Sequence, residues 1–283
     1  MKTTVPSLRV RDSDSHKGTF GRVLIVGGSR GMSGAVALSA SAACQSGAGL
    51  VTAAVPESCL NVVAGYEPNY MTVGLPEDQQ GRMAVAAELC LRTHAKKATS
   101  IGVGPGMSRA PGAARVVTAL YEGYPSAMVV DADALNLLSE DPTAIGRHAG
   151  ARILTPHIGE FRRLIGQELV VTECRAMALD FAKKHDVILV LKGNRTIVSD
   201  GQGQFENTTG NPGMATGGSG DVLTGVIAAL CGQGYSPIEA AVLGVHVHGL
   251  AGDFASKQVG EISVVAETIR DHLCKAFQHL SST

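Results

Sequence analysis

The sequence of 283 residues carries 24 basic and 25 acidic side chains, so its formal net charge at pH 7 is −1. It has no polybasic run and only 4% aromatic residues, which argues against a nucleic-acid-binding protein, because such proteins usually combine a basic groove with stacking aromatics. Glycine is enriched, at 35 residues or about 12% against roughly 7% on average, but no Gly-X-Y period or extra proline accompanies it, so collagen-like and Pro/Gly-rich disordered chains are excluded.

The six cysteines are scattered and form no Cys-x-x-Cys pair. This spacing supports neither a zinc ribbon nor a thioredoxin-type redox pair, and it is typical of buried thiols in a reducing cytosol. The first residues lead into a polar segment rather than into a signal-peptide core, and no window of about 18 apolar residues occurs. We therefore expect a cytoplasmic protein with no nucleic-acid or membrane partner.

The predicted elements alternate along the chain between short apolar strands and longer helices. Apolar runs without polar alternation are typical of strands buried on both faces of a parallel sheet. Such runs occur at residues 23–26, 50–55, 100–103, 127–130, 152–154 and 187–191. Helical patterns occur at residues 33–46, 81–92, 112–121, 171–184, 221–231, 237–255 and 261–279.

Residues 196–199 and 204–207 form the clearest predicted β-hairpin, across the turn sequence Asp-Gly-Gln-Gly. No internal repeat, low-complexity tract or linker interrupts the pattern. We therefore expect one α/β domain over residues 1–283, with a doubly wound, mostly parallel central sheet flanked by helices.

Many glycines follow predicted strands directly, as at residues 27–28 and 104–106. Ligands of open parallel sheets bind at the carboxyl edge of the strands, and glycine there lets the backbone approach a phosphate or adopt positive φ. The glycine excess therefore predicts a ligand rim at this edge. Other glycines, namely Gly225, Gly232, Gly234 and Gly244, are expected to serve close helix packing.

The strongest candidate site is the polar, glycine-rich segment 207–221, which leads directly into an apolar helical segment. The free N–H groups and the dipole of such a helix start form an anion site. A carboxylate there repels phosphate, so Asp221 is best explained as a base that takes a proton from an attacking hydroxyl while the glycine amides stabilise the developing charge. The alternative is an ordinary acidic residue at a helix start, preceded by a flexible loop.

Two common nucleotide-binding motifs are absent: no G-x-x-x-x-G-K-[ST] occurs, and residues 27–32 do not match G-x-G-x-x-G. Instead, Gly218-Ser219-Gly220-Asp221 resembles the GxGD signature of the ribokinase-like superfamily. The sequence is more specifically similar to the ADP/ATP-dependent NAD(P)H-hydrate dehydratases, a repair enzyme family of that superfamily. The matching motifs follow the family order, at residues 16–21, 27–35, 104–106, 131–136, 154–161, 190–196 and 207–225.

The resemblance implies a lyase with a ribokinase-like fold that acts on NADH or NADPH hydrated at the nicotinamide ring, in the S form. Family enzymes phosphorylate the ring hydroxyl with ADP or ATP and eliminate phosphate, which restores the reduced cofactor and releases AMP or ADP. The resemblance also implies Mg²⁺, a homotetramer and functional pairing with a separate NAD(P)H-hydrate epimerase.

The resemblance also assigns the site residues. Asp221 is the implied catalytic base. The implied contacts to the hydrated substrate are Gly34, Ala35, Gly104, Gly106, Asp131, His157 and Asp221. The implied contacts to the adenine nucleotide are Lys192, Gly193, Asn194, Arg195, Thr196, Gly218 and Gly220.

Several candidate site residues leave alternatives open. His157 follows a strand end and can donate to a substrate amide or phosphate, and this role is favoured over helix capping. Glu160 can hold a water of Mg²⁺, which keeps most of its water shell, and an acidic residue in the first turn of a helix explains it equally well. Asp131 and Asp133 follow a buried strand, and each contacts a ligand or caps a loop; the resemblance favours Asp131 for the site. Lys192 meets phosphate or is an ordinary lysine at a strand end.

Three histidines and a lysine invite other roles. His246 and His248 point apart if they lie on one helix, so packing or local hydrogen bonds explain them better than a shared metal ion does. His16 and Lys17 lie in a segment that the family shares, and a neighbouring active site or a subunit contact is the role to test for them.

Two other functions compete with the dehydratase. A kinase for a small alcohol, such as a thiazole or hydroxymethylpyrimidine, shares the fold but releases a phosphorylated product. A catalytically silent nucleotide-binding sensor is the other alternative, and the intact Asp221 and Gly218–Gly220 run argue against it.

Overall fold

The computed structural model describes residues 4–168 and 173–282, and a nine-stranded sheet runs through this part of the chain. The strands in chain order are β1 (Arg22–Val26), β2 (Leu50–Pro56), β3 (Met71–Leu75), β4 (Ser100–Val103), β5 (Met128–Val130), β6 (Arg152–Leu154), β7 (Ile188–Leu191), β8 (Ile197–Ser199) and β9 (Gln204–Glu206). Their order in the sheet is β3-β2-β1-β4-β5-β6-β7-β8-β9. The strands from β3 to β7 are parallel, and β8 and β9 add an antiparallel hairpin at one edge.

Helices cover both faces of the sheet, because successive strand residues are apolar on both sides. In β1, Val23 and Ile25 belong to one buried apolar cluster and Leu24 and Val26 to the other. The first cluster is covered by α1 (Ser33–Gln45), α2 (Leu60–Tyr66), α8 (Ser219–Gly232), α9 (Pro237–Val259), α10 (Ala266–Asp271) and α11 (Leu273–Ser281). The second is covered by α3 (Ala87–Ala95), α4 (Pro111–Gly123), α5 (Ala132–Ser139), α6 (Ile158–Ile165) and α7 (Cys174–His185). The predicted doubly wound, mostly parallel α/β fold is confirmed.

The sheet has its topological switch point between β1 and β4. These strands are neighbours in the sheet, but the chain runs outward to β2 and β3 before it returns to β4. Loops that leave neighbouring strands in opposite directions open a crevice at the carboxyl edge. The glycine-rich residues 27–28 and 104–106 follow β1 and β4 directly, so the predicted ligand rim lies at this crevice.

Several predicted elements differ from the structure. Strand β3 and helix α2 were not predicted; β3 is an edge strand paired only with β2, and its first residue Met71 is 49% exposed, so it lacks the apolar run of a central strand. The helix predicted at 81–92 begins only at Ala87, because Gly81 has a φ of +70° and Met83 pairs with Glu77 in an isolated bridge.

Two further helix predictions need correction at their ends or interior. The segment 261–279 is not one helix: a short 3₁₀ turn precedes α10 and α11, and Val265 starts α10 with its N–H donated to the Thr268 hydroxyl. The helix predicted at 171–184 begins at Cys174 among the described residues, and residues 171–172 of that prediction lie outside them. The predicted hairpin is confirmed as β8 and β9. No helix in the described ranges combines the length and the apolar character needed to cross a membrane.

Close packing of α1 on α8 depends on Gly225. A Cβ at this position would overlap the carbonyl oxygen of Ser39 and lie 3.0 Å from the Cβ of Ala42. Gly244 on α9 and Gly232 at the end of α8 are enclosed in the same way, by Ile227 and Val23. Gly234 differs, because its φ of +89° serves the turn between α8 and α9. The interface between α1 and α8 is therefore set by backbone-to-backbone distance.

We predict that Gly225→Ala lowers the free energy of unfolding by about 1–3 kcal/mol, the usual cost of overpacking a filled interior. Gly65→Ala is the matched control, because Gly65 lies in α2 with no atom within 4 Å of an added Cβ. Alanine there should stabilise the protein by about 0.5–1 kcal/mol through its higher helix propensity. Urea unfolding of both variants measures the difference, and equal stabilities would contradict the role given to Gly225.

Candidate active site

The crevice at the switch point holds a cavity of about 450 Å³. It opens where the first turns of four helices, α1, α5, α6 and α8, meet at the carboxyl edge of the sheet. The residues that line it are Gly31, Met32, Gly34, Ala35, Gly106, Ala132, Asp133, Asn136, Glu160 and Asp221. Because the first N–H groups of each helix have no intrahelical acceptor, this edge favours anions.

The two rim glycines after β4 hold the neighbouring loops together. Gly104 has a φ of +120°, and a Cβ there would overlap the carbonyl oxygen of Asp131. Gly106 has a φ of +61°, and its Cβ would lie 2.5 Å from the Met32 carbonyl oxygen. Gly34 differs, since no atom lies within 4 Å of its Cβ position. Packing therefore explains Gly104 and Gly106, whereas Gly34 faces open space in the cavity.

Asp221 is the third residue of α8 and faces the cavity from its first turn. Gly218, with a φ of +89°, turns the chain into this helix, and the Ser39 hydroxyl of α1 donates to the Asp221 carbonyl oxygen at 2.7 Å. Burial raises the pKa of the Asp221 carboxyl from 3.8 to about 7; the charge of Asp131 adds to this shift and that of Lys192 opposes it. A carboxyl with this pKa can accept a proton near neutral pH.

Lys192 and Asp131 form an ion pair beside Asp221, in which the Lys192 side chain is 20% exposed and the Asp131 side chain 2% exposed. The Lys192 Nζ donates to Asp131 Oδ1 at 2.8 Å and lies 3.9 Å from Glu160 Oε2. The Thr224 hydroxyl of α8 donates to the other oxygen, Oδ2, at 2.9 Å. Burial alone lowers the pKa of Lys192, but the carboxylates of Asp131 and Glu160 outweigh it, so the pKa is raised and the ammonium stays charged.

His157 and Glu160 form a reciprocal cap at the start of α6. The His157 Nδ1 accepts the N–H groups of Gly159 and Glu160, at 2.9 and 3.3 Å, and Glu160 Oε2 accepts the His157 N–H at 2.8 Å. Because Nδ1 is an acceptor, the neutral ring carries its proton on Nε2. Burial lowers the pKa of His157 and raises that of Glu160. The capping interpretation is confirmed, and His157 Nε2 lies 3.5 Å from Glu160 Oε1 on a side chain that is 55% exposed.

The predicted nucleotide segment follows β7 in an exposed turn. Gly193, Asn194 and Arg195 are exposed, and the Thr196 hydroxyl donates to the Gly193 carbonyl oxygen at 3.2 Å. Arg195 pairs with Glu206 of β9 at 2.8 Å. Lys192, at the start of this segment, approaches α8, where a Cβ on Gly220 would lie 3.2 Å from the Lys192 Nζ.

The structure thus brings most of the predicted site residues to the carboxyl edge of the sheet, but they differ in their position relative to the cavity. Gly34, Ala35, Gly106, Glu160 and Asp221 line the cavity. Asp131 and Gly104 lie just beneath its lining, and the Asp131 side chain is fully buried. The turn at 193–196 lies beside the cavity rather than in its wall.

Five lining residues were not predicted as site residues: Gly31, Met32, Ala132, Asp133 and Asn136. Three of them belong to the motif at 131–136, which was noted for its family resemblance but assigned only through Asp131. Residues 132–139 were not recognised from the sequence as helix α5, which places Asp133 and Asn136 in the lining of the cavity. The Asp133 carboxylate accepts the Ser108 N–H at 2.8 Å.

The remaining histidines lie away from the cavity lining. His248 Nε2 is 3.4 Å from the Ser219 hydroxyl, and burial lowers the pKa of His248 to about 4. The backbone carbonyl of His246 accepts the Thr209 hydroxyl. His16 and Lys17 precede β1, and Lys17 packs against Gly49 before β2, so both lie at the opposite, amino edge of the sheet.

Comparison with known proteins shows the family to which this chain belongs. The family model for NAD(P)H-hydrate dehydratase matches residues 23–275. The chain belongs to this family. A bifunctional NAD(P)H-hydrate repair enzyme of Moorella thermoacetica is 43% identical over 273 residues, which cover 95% of this chain and 52% of that protein.

Two other family members match over nearly their full lengths. An ADP-dependent (S)-NAD(P)H-hydrate dehydratase of Neisseria meningitidis is 36% identical, with 95% of this chain and 91% of that protein covered. The crystal structure of an ADP/ATP-dependent NAD(P)H-hydrate dehydratase from Bacillus subtilis, co-crystallised with ATP/Mg²⁺, matches with a TM-score of 0.82 at 26% identity, covering 97% of this chain and 95% of that one. This chain therefore spans about half the length of the bifunctional relative, and its expected ribokinase-like fold is confirmed.

The raised pKa of Asp221 predicts a cost in stability for this NAD(P)H-hydrate dehydratase family member. The folded protein keeps the Asp221 proton to higher pH than the unfolded chain does, so stability falls as pH rises from 3.8 to about 7. We expect Asp221→Asn to raise the free energy of unfolding by about 2–4 kcal/mol at pH 8 and to change it much less at pH 4.

Urea unfolding at the two pH values measures this effect. Asp200→Asn serves as the control, because Asp200 lies in the hairpin turn and asparagine can still accept the N–H groups of Gln202 and Gly203. A destabilised Asp221→Asn protein at pH 8 would show that the carboxylate is favourably solvated or paired in the folded state.

Proposed function

We propose that this protein catalyses the ADP- or ATP-dependent dehydration of (S)-NADHX and (S)-NADPHX, the hydrated forms of NADH and NADPH. The observation that carries the proposal is the Asp221 carboxyl, which faces a cavity from the first turn of α8 with a pKa of about 7. The names of the full-length family relatives supply the substrate class. The products are the reduced cofactor, phosphate, and AMP or ADP.

The first chemical step is phosphoryl transfer to the ring hydroxyl. Asp221 takes the hydroxyl proton, the hydroxyl oxygen attacks the terminal phosphorus of the nucleotide, and the bond from that phosphorus to the leaving nucleoside phosphate breaks. In the second step the C–O bond breaks, phosphate leaves with the electron pair, and the adjacent ring carbon loses a proton. The net change is removal of water from the ring at the expense of one phosphoanhydride bond.

The first turn of α8 is suited to stabilise the transferred group. Gly218 and Gly220, on either side of Ser219, carry no side chains that would shield the backbone, and the helix dipole adds a partial positive charge. No atom lies within 4 Å of a Cβ on Gly193, so a nucleotide can approach that backbone closely. Residues 192–196, Gly218 and Gly220 accordingly form the proposed nucleotide side.

The hydrated nicotinamide is proposed to lie against α1 and the β4 loop. Gly34, Ala35 and Gly106 leave a smooth, small-residue wall for a flat ring, and Gly104 fixes the loop that carries Gly106. The His157 side chain is 55% exposed, and its Nε2–H can donate to a carboxamide or phosphate oxygen.

Mg²⁺ is proposed to accompany the nucleotide. No group of three His, Cys, Asp or Glu residues in the described ranges is arranged to hold a metal ion, which fits an ion that binds mainly to phosphates and water. Glu160 lies in the cavity wall and would contact it through a water. When bound, Mg²⁺ neutralises phosphate charge and orients the phosphoryl group.

The larger assembly is also part of the proposal. We infer a single ribokinase-like domain, supported by the continuous sheet, and a homotetramer of the kind that the family resemblance implies. Pairing with an NAD(P)H-hydrate epimerase is supported by relatives that are bifunctional repair enzymes. Size-exclusion chromatography with light scattering tests the assembly.

The proposed activity predicts that hydrated NADH of S configuration regains the near-ultraviolet absorbance of NADH when the protein, Mg²⁺ and ADP or ATP are added. Phosphate release should match the absorbance gained. A small-alcohol kinase would instead phosphorylate a thiazole or hydroxymethylpyrimidine and leave the hydrate unchanged. An inert hydrate of correct configuration, with both nucleotides present, rules the proposal out.

Asp221→Asn should reduce turnover by about 10²- to 10⁴-fold, the usual contribution of a positioned general base, with nucleotide affinity largely kept. In the wild-type protein, turnover should rise with pH through about 7, as the Asp221 carboxyl loses its proton. Steady-state kinetics from pH 5 to 9 and nucleotide titration by calorimetry measure both effects. Equal losses of affinity and turnover would point to a structural role for Asp221.

A further inference from the structure

The Asp131 side chain is buried, and each of its carboxylate oxygens accepts a hydrogen bond from another residue of the protein. Its side chain is 2% exposed, and its two carboxylate oxygens are taken by the Lys192 ammonium at 2.8 Å and the Thr224 hydroxyl at 2.9 Å. The three residues come from three elements, the end of β5, the end of β7 and helix α8. Asp131 therefore joins these elements instead of facing the cavity.

The ion pair lies against the turn of α8 that carries the proposed base. Thr224 follows Asp221 by three residues, so the two side chains lie on the same helix face. A Cβ on Gly220 would lie 3.2 Å from the Lys192 Nζ and 3.5 Å from Asp131 Oδ2. Glycine at 220 thus lets the ammonium reach the helix start, beside the backbone N–H groups proposed to receive phosphate.

We propose that Asp131 and Thr224 are positioning residues that hold the Lys192 ammonium at the start of α8 and keep it from pairing directly with Asp221. The inference rests on the proposed function, because it gives Lys192 a task toward the transferred phosphoryl group. A lysine paired directly with Asp221 would stabilise the carboxylate and make it a weaker base. Held on Asp131, the same cation stays beside the anion cradle and leaves Asp221 able to take a proton.

Among the charged residues that act on Asp221, Lys192 carries the positive charge. Asp131 and Asp133 face it from the start of α5, Glu160 from α6, and Lys192 from the end of β7. Helix α1, which packs along α8, has no charged residue. His248 of α9 contacts Ser219 and is neutral at pH 7. The charged residues of α10, which also packs on α8, are Glu267, Arg270 and Asp271, and they pair with one another.

A double-mutant cycle on the nucleotide-free protein tests the tether directly. The Asp221 carboxyl is followed by NMR of protein labelled with ¹³C at the aspartate carboxyl carbon, with Asp221→Asn used for assignment. Lys192→Gln should move the titration midpoint to higher pH and Asp131→Asn to lower pH, each by about 1 unit. Asp200→Asn, far from the site in the hairpin turn, should leave it unchanged.

The coupling between the two substitutions shows whether Asp131 restrains Lys192 or acts on Asp221 only through its own nearby charge. If Asp131 restrains Lys192, the lysine moves onto Asp221 in the Asp131→Asn protein, so Lys192→Gln should shift the midpoint by about 1.5 units in that background, against about 1 unit in the wild-type protein. Equal shifts in both backgrounds would mean that Asp131 acts only as a nearby charge, and they overturn the proposal.

A second pair of variants keeps the test valid if Lys192→Gln does not fold, which is the risk when one partner of a buried ion pair is removed. Thr224→Val changes no formal charge but removes one anchor of Asp131, so the midpoint should fall in the same direction as in Asp131→Asn. Thr224→Ser keeps the hydroxyl and should keep the wild-type midpoint. Identical midpoints in both Thr224 variants overturn the proposal.

Kinetics separate this inference from the proposed function. In an active enzyme, the acidic limb of the turnover profile should move with the NMR midpoint in Asp131→Asn, while nucleotide affinity changes by less than turnover. A protein inert toward the hydrate that still shows the coupled midpoints would refute the proposed function alone. An active enzyme with additive midpoints would refute the tether alone.

Discussion

The ion pair between Lys192 and Asp131 is the interaction on which the arrangement of the site depends. It links the ends of β5 and β7 at 2.8 Å, and the Thr224 hydroxyl attaches it to α8. A buried ion pair adds little net stability, because desolvation of both charges offsets most of their attraction. Its effect here is geometric: it fixes where the first turn of α8, and with it Asp221, stands relative to the sheet.

The site combines two electrostatic features that oppose each other. Four helix starts direct partial positive charge into one cavity, while Asp131, Asp133, Glu160 and Asp221 bring acidic charge to the same place. Their mutual repulsion and burial hold the Asp221 pKa near 7 at a cost in folding stability. Under the proposed function an incoming nucleotide would change this balance, since its phosphates would occupy the helix starts and would bring Mg²⁺ with them. The bound cation would then compensate the acidic excess of the site.

Much of this architecture could be predicted from sequence, and the exceptions have physical causes. The central strands were recognisable because both faces are buried, and the rim glycines because they follow those strands directly. Strand β3 was missed because an edge strand, with Met71 half exposed, carries little apolar signal. The sequence places Asp131 at a strand end but does not show which way its carboxylate points. Whether it points outward to a ligand or inward to Lys192 depends on Lys192 and Thr224, which lie 61 and 93 positions away in the sequence.

The glycines of this chain fall into groups according to what an added Cβ would meet. At Gly225 and Gly104 an added Cβ would meet the backbone of another element, so the fold itself requires glycine there. At Gly34 and Gly193 the Cβ position is empty, and neither residue has positive φ. Neither packing nor backbone conformation then explains glycine at these two places, both of which border the proposed ligands. Gly65 is open in the same way without bordering the proposed ligands, so the location of Gly34 and Gly193, and not the empty Cβ position alone, supports a close approach of the ligand. Under the proposed function, we expect alanine at either position to leave the fold intact and to weaken ligand binding.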